Sequence, residues 1–310
     1  MPGKTSSTRF AVYAALAGNV LVALTKTGAA IFTGSSAMFS EALHSFVDTA
    51  NEVLLLYGMR QSHQPRDGDH PLGYGRELYF WSFIVALLIF ALGAGVSIFQ
   101  GVGHVLNPKP IENPNVNYVV LALSLFIEGV SFFVSLRQFS QSKGTLGWYE
   151  AVHASKNPPA FMVLFEDAAA IVGLVIAALG TWASASLGWH VMDGAASILI
   201  GLVLGAVALL LAKESKSLLI GERASHRVHD SILGLVHAEP CVRRANGLIT
   251  VQLAPDQVVV ALSVEFEPDL RTAQIEAAVV SLDERVRKAH PQVVSLFVRP
   301  ESCESHAAQA

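Results

Sequence analysis

Cysteine and charge are what this sequence has least of. Its 310 residues include two cysteines, Cys241 and Cys303, which supply neither a disulfide framework nor a thiolate cluster for structural zinc. Asp, Glu, Lys and Arg make up 15% of the chain, against about 25% in an ordinary soluble domain. That shortage excludes a typical water-soluble enzyme. The net charge is −4, without the basic surplus that a nucleic-acid partner would require. No small-residue cleavage site follows the first apolar run, so the N-terminal segment does not read as a cleaved signal peptide.

Apolar residues dominate instead, at 52% with a mean hydropathy of +0.46. The charges are unevenly spread: 22 fall in residues 1–212 and 24 in residues 213–310. This divides the chain into a membrane part, 1–212, a water-soluble part, 213–301, and a disordered end, 302–310. A bilayer-spanning helix takes about 20 mostly apolar residues. Six segments qualify, at 10–32, 37–59, 78–106, 116–139, 160–183 and 190–212. With the N-terminus inside, the cytoplasmic stretches hold twelve Lys and Arg, from Lys4 and Arg9 to Arg223 and Arg227, and the opposite connections only Lys109. By the positive-inside rule both termini and the soluble part are cytoplasmic, in a multi-pass protein of the cell inner membrane.

The soluble part is patterned. Val258, Val260, Leu262, Val264 and Phe266 alternate as a strand does, with Leu248–Leu253 as hairpin partner. Thr272 reads as the N-cap of a helix with Ile275, Ala278, Val279, Leu282 and Val286 on its apolar face. Val293–Val298 makes a last strand and His229–His237 a first helix. The order α-β-β-α-β is that of a small α+β domain, with dimerisation as its simplest role.

Ionisable residues inside a membrane usually face a cavity or a partner. The second span carries Ser40, Glu41, His44, Asp48, Asn51 and Glu52, and residues four apart share a helical face. His44 and Asp48 therefore set an imidazole beside a carboxylate, half of a divalent-metal site. The fifth span carries Glu166 and Asp167. Neighbours on a helix point about 100° apart, so one is expected to complete the site and the other to face a neighbouring helix or the cavity mouth. Such a nitrogen-and-carboxylate set suits Zn²⁺, Fe²⁺ or Co²⁺. Glu41, Asn51 and Glu128 are read as cavity-lining. Asn19, Lys26 and Glu128 are expected to pair structurally, with snorkelling the alternative for Lys26. Asp193, near a helix end, reads as interfacial.

These residues resemble the cation diffusion facilitators over nearly the whole chain. The resemblance rests on Thr33-Gly34-Ser35, on Ser40-Glu41-Ala42-Leu43-His44-Ser45-Phe46-Val47-Asp48, and on His70-Pro71-Leu72-Gly73-Tyr74-Gly75-Arg76-Glu77, together with six spans and the α-β-β-α-β tail. It implies a homodimeric antiporter, not an enzyme, that exports Zn²⁺ (or Fe²⁺, Co²⁺, Mn²⁺) against protons and carries the metal as cargo with no cofactor. It implies a transport site of His44, Asp48 and Asp167. Val163 stands where the family has a fourth ligand, leaving Glu166 or water to fill that place, as in a subgroup with a Glu-Asp pair here. The long third span is the natural dimer contact. The family's loop metal site is reduced to Asp67 and His70, because Tyr74 replaces a histidine, and the loop is read chiefly as shaping the dimer. In the tail, Asn246 and Ser263 stand where histidines would be, so no tail metal site is expected. His226 and His229 are read as exposed. The competing readings are a non-transporting membrane regulator or scaffold with the same fold and, more remotely, an intramembrane metallohydrolase.

Overall fold

The computed structural model describes residues 4–144 and 146–307. Six long helices carry the apolar part: α1 (Lys4–Thr33), α2 (Ser36–Ser62), α3 (Glu77–Leu106), α4 (Pro114–Lys143), α6 (Pro158–Ser186) and α7 (Val191–Ile220). A short helix that sequence reading misses, α5 (Trp148–Ala154), precedes α6. Among the described residues α3, α4, α6 and α7 are long and apolar enough to cross a bilayer by composition alone. The first two have the length as well, and α2 carries Glu41, His44, Asp48 and Glu52.

Local chemistry sets the helix ends. Gly34, at φ +68°, makes the two-residue turn between α1 and α2, a conformation that disfavours a side chain. Prolines open α4 and α6 at their first turns, where no backbone N–H is needed. The next turn is held by Asp193 on α7. It accepts hydrogen bonds from Ser35 Oγ at 2.6 Å and from the Ser36 N–H, and lies 3.4 Å from His104 on α3. Asp193 is fully buried, so it is an internal cap for α2 and not an interfacial group.

The membrane unit comprises residues 1–61 and 80–215. Its core includes Met38, Val85, Ile89, Phe161, Met162, Leu174, Ile200, Leu204 and Leu211. Helices α3 and α7 approach through glycine. A Cβ on Gly194 would lie 2.9 Å from Gly101 O, and one on Gly201 would lie 3.0 Å from Ala94 O. Close backbone approach of this kind replaces the hydrophobic drive that lipid does not supply. Around Ala94 the helix α3 winds as a π-helix, over Ile89–Val96.

The second unit holds residues 216–310 together with 62–79, so the loop between α2 and α3 belongs to it, unlike the boundary at 212 read from charge. Its elements are α8 (His226–His237), β1 (Val242–Ala254), β2 (Gln257–Phe266), α9 (Thr272–Ala289), β3 (Val293–Pro300) and α10 (Cys303–Ala307). The sheet order is β1-β2-β3, antiparallel then parallel. Val258, Val260, Leu262 and Val264 are buried against Ile232 and Val236 of α8 and Leu282 and Val286 of α9. Ile249 and Phe297 remain exposed. The α-β-β-α-β expectation matches this order. Two details differ. Arg271, not Thr272, occupies the N-cap of α9, its N–H donating to Gln274 Oε1 at 2.8 Å. Residues 303–307 form a helix instead of a disordered end, and Ala308–Ala310 lie outside the described residues. The 62–79 loop is seated here by Arg66, which donates to Val294 O at 3.0 Å, and by Gly75, where a Cβ would meet Leu253 O at 3.0 Å.

The α3–α7 contact makes a prediction. Gly194→Val should lower the thermal stability of detergent-purified protein by about 1–3 kcal/mol, the usual cost of overpacking. Gly103→Ala, which meets open space, should not. Equal melting temperatures for the two variants would contradict this packing.

Candidate functional site

On α2, residues three or four apart share a face, which places Ser40, His44, Asp48 and Asn51 along one stripe. His44 is 1% exposed, and its Nδ1 lies 3.4 Å from Asp48 Oδ1. Both imidazole nitrogens and Asp48 Oδ1 are buried without a hydrogen-bond partner. Orphaned buried polar atoms are costly; here they are a nitrogen-and-oxygen set of the type that binds divalent cations.

The carboxylates of α6 reach different neighbours. Glu166 Oε1 accepts from Asn51 Nδ2 on α2 at 3.0 Å. Asp167 accepts from Ser135 Oγ on α4 at 2.8 Å and from Ser131 Oγ at 3.2 Å. The helical offset of neighbouring residues thus turns one carboxylate toward α2 and the other toward α4. Both nevertheless line one cavity of about 70 Å³, with Asn19, Val22, Ser45, Asp48, Glu52, Glu128, Ser131 and Val163. One was expected to complete a site and the other to face a neighbouring helix or the cavity mouth; the two reach different helices and border the same cavity. A space between helices, unlike a single point, admits side chains 100° apart. Water occupies about 30 Å³ per molecule in the liquid, so the cavity is of the size of an ion with a little water.

The other candidates are distributed as follows. Glu128 lines the cavity. Glu41 and Asn51 do not; Asn51 acts through Glu166, and Glu41 pairs with Lys26 at 3.2 Å. Lys26 is fully buried, also donates to Ser45 Oγ at 2.8 Å, and lies 3.7 Å from Glu128. It is paired and does not snorkel. Gly173 on α6 makes room for Glu41, since a Cβ there would collide with Glu41 Oε1. His44 stands beside Asp48 but outside the cavity lining. Among the described residues no three His, Cys, Asp or Glu converge as a ready-made chelate.

Sequence reasoning places Glu52 on the polar stripe of α2 but names it neither as a ligand nor as cavity-lining. It lines the cavity and accepts from Asn19 Nδ2 at 3.0 Å. The serines Ser131 and Ser135 were missed altogether, although their spacing from Glu128, three and seven residues, marks one polar face on an otherwise apolar helix.

In the loop, both Asp67 oxygens are engaged. Oδ1 accepts from the His70 N–H at 2.6 Å, Oδ2 accepts from the Tyr74 hydroxyl at 2.5 Å, and the centroids of the His70 and Tyr74 rings lie 4.1 Å apart with the rings tilted by 34°. Tyr74 thus donates to Asp67 from the position where the family has a histidine. In the tail, Ser263 Oγ donates to Glu301 Oε2 at 2.8 Å and Asn246 Nδ2 to Glu301 O at 2.8 Å. His226 is exposed, and His229, half-buried, lies beside Asp230 at 3.1 Å. The Tyr74 hydroxyl is the main reason that the Asp67 carboxyl is held below its ordinary range, and the same bond pushes the phenol up to about 12. Because the Asp67 value is lowered on folding, the contact stabilises the loop above the ordinary aspartate pKa of about 3.9 and is lost as pH falls through the lower, folded value. Tyr74→Phe should raise the Asp67 midpoint toward that ordinary value in a carboxyl NMR titration. An unchanged midpoint would refute the assignment.

Comparison with known proteins accords with this geometry. The family model for the cation efflux transmembrane domain matches residues 12–220. The mitochondrial proton-coupled zinc antiporter SLC30A9 of Xenopus laevis is 36% identical over 240 residues, 76% of this chain and 43% of its own length. The human SLC30A9 is 34% identical over 269 residues, 86% of this chain and 46% of its own. The cation-efflux pump FieF of Klebsiella pneumoniae is 25% identical over 262 residues, covering 84% and 81%. The chain spans less than half the length of the SLC30A9 relatives. With a family model matched over two thirds of its residues and relatives more than 30% identical over most of its length, this chain belongs to the cation diffusion facilitators.

Proposed function

We propose that this protein is a secondary active transporter, not an enzyme, that moves a divalent metal cation out of the cytoplasm in exchange for protons, with Zn²⁺ as the main cargo and Fe²⁺, Co²⁺ or Mn²⁺ as further ones. The observation that carries this reading is the intramembrane cavity lined by Asp48, Glu166 and Asp167, with the unpartnered imidazole of His44 beside Asp48. The names of the SLC30A9 and FieF relatives support it.

The cation binds Asp48 and Asp167 with His44, and Glu166 fills the place left by Val163. His44 lies outside the cavity lining, so binding includes an inward turn of the imidazole toward Asp48. Metal ligands must be deprotonated. Cation and protons therefore compete for the same lone pairs, and one set of residues serves both directions of exchange. Alternating access follows if the helices bearing the site rock against the rest. Asn51, Ser131 and Ser135 orient the α6 carboxylates; outer partners of this type are worth about 10–100-fold in metal affinity. The Lys and Arg asymmetry supports cytoplasmic termini. A homodimer in a cell or organelle inner membrane is part of the same reading, with α3 as the membrane contact and the sheet unit holding the pair together.

The absence of a ready-made chelate among the described residues favours one second reading, a membrane regulator that keeps the fold but does not transport. Reconstitution in liposomes separates the two. Zn²⁺ should drive proton flux in the wild type; Asp48→Asn and Asp167→Asn should each reduce it by more than about 100-fold, and Ser135→Ala by about 10–100-fold. Full flux in both aspartate variants would overturn the site. Metal-dependent proton release without flux would favour the regulator.

A further inference from the structure

Five carboxylates line the membrane cavity, those of Asp48, Glu52, Glu128, Glu166 and Asp167. A tetrahedral divalent site takes four ligands, and the reading above uses three of the five with His44. Glu52 and Glu128 are surplus. Surplus oxygen matters for choice of ion, because oxygen-rich sets suit Mn²⁺, Mg²⁺ and Ca²⁺, whereas imidazole suits Zn²⁺.

The two surplus groups are restrained differently. Glu52 is held by a neutral amide, Asn19. Glu128 is held by charge. The Lys26 ammonium on α1 is fully buried and reaches three groups: Glu41 at 3.2 Å and Ser45 at 2.8 Å on α2, and Glu128 at 3.7 Å on α4. Glu41 is itself fully buried and enclosed by Gly173, whereas Glu128 is 16% exposed and borders the cavity. Glu41 is thus the fixed partner and Glu128 the one with freedom to turn toward a cation. A buried ammonium needs its carboxylates close to offset desolvation. That requirement keeps Glu128 on the α1 side of the cavity.

We propose that Lys26 is a specificity-determining residue: a tethered internal cation that keeps Glu128 out of the transported ion's ligand set and so disfavours oxygen-preferring cations such as Mn²⁺ against Zn²⁺. The proposal rests on the cation-transport reading but concerns selection between ions, not transport as such.

The test is the ratio of Mn²⁺ to Zn²⁺ transport in proteoliposomes. Removing one member of a buried ion pair is disruptive, whereas replacing both is usually tolerated, so the variant is Lys26→Met with Glu41→Gln. Its Mn²⁺/Zn²⁺ ratio should rise by about tenfold or more as Glu128 joins the oxygen ligands. Adding Glu128→Gln to that pair should return the ratio to near the wild-type value. Lys26→Arg, which retains the cation, should leave it there. Both fluxes falling together at a constant ratio would make Lys26 structural only and overturn the proposal. So would a raised ratio that survives Glu128→Gln. Glu128→Gln alone provides an independent check if the double variant does not fold: a ratio lowered by more than about fivefold would show that Glu128 already ligates, again overturning it. If the wild type transports neither ion, the antiporter reading fails separately, and the same comparison is read from Mn²⁺ and Zn²⁺ binding to purified protein by calorimetry.

Discussion

Removing an ionised group from water into hydrocarbon costs several kcal/mol even after relaxation, in the range of about 2.5–3.5 kcal/mol for insertion of a single charged residue at a helix centre. The membrane unit of this protein is organised around that cost. Several of its buried ionisable side chains are tied to a specific neighbour on another helix: Glu166 to Asn51, Asp167 to Ser131 and Ser135, Glu52 to Asn19, Asp193 to Ser35 and Ser36, Glu41 to Lys26. The partners are of two kinds with different consequences. An amide or hydroxyl fixes a carboxylate in space without cancelling its charge, so the charge can still be met by something mobile. An ammonium both fixes and cancels. The cavity carries mostly partners of the first kind and one of the second.

Polarity inside the bundle also sets its packing. A charged side chain on one helix needs space on the next, and glycine provides it: Gly173 of α6 leaves room for the Glu41 carboxylate. Elsewhere the same device brings backbones together, at Gly101, Gly194 and Gly201 between α3 and α7. One serine chain ties three helices through the middle of this packing, with Ser40 Oγ 2.6 Å from Ser197 Oγ, which in turn donates to Ser97 O at 2.8 Å. The helix that carries His44 and Asp48 is thus held by polar contacts above and below its functional turn.

Much of this architecture was legible in the sequence because it follows from short-range patterns. The alternation at Val258, Val260, Leu262 and Val264 specifies a strand with one buried face. The apolar runs specify spans to within a few residues, and the isolated charges in them point to Asp48, Glu166 and Asp167. Partnership was not legible. The bond from Asn51 to Glu166 joins residues 115 apart, and nothing local distinguishes that asparagine from one facing an open cavity. The same applies to Asp193, whose position near a helix end suggests an interface until Ser35 and Ser36 are seen folded onto it. Helical geometry treated as a set of directions separates residues 166 and 167; the actual space between α2 and α4 reunites them. Tyr74 was recognised as a replacement for a histidine, but not as a donor that closes on Asp67.

The loop of residues 62–79 has a consequence of a different order. It lies early in the chain yet packs with the strands of the last third, through Arg66 on β3 and Gly75 against the β1–β2 hairpin. The sheet unit is therefore discontinuous in sequence. During synthesis the loop has to wait, without its partners, until α3 through α7 have been made and the hairpin emerges. A polypeptide beginning just after the last span would likewise carry the hairpin and the three helices of the sheet unit but not the segment that packs against Leu253 and Ala254. The two units can be told apart by their packing, but they cannot be inherited, swapped or expressed as separate halves of a gene without leaving one of them incomplete.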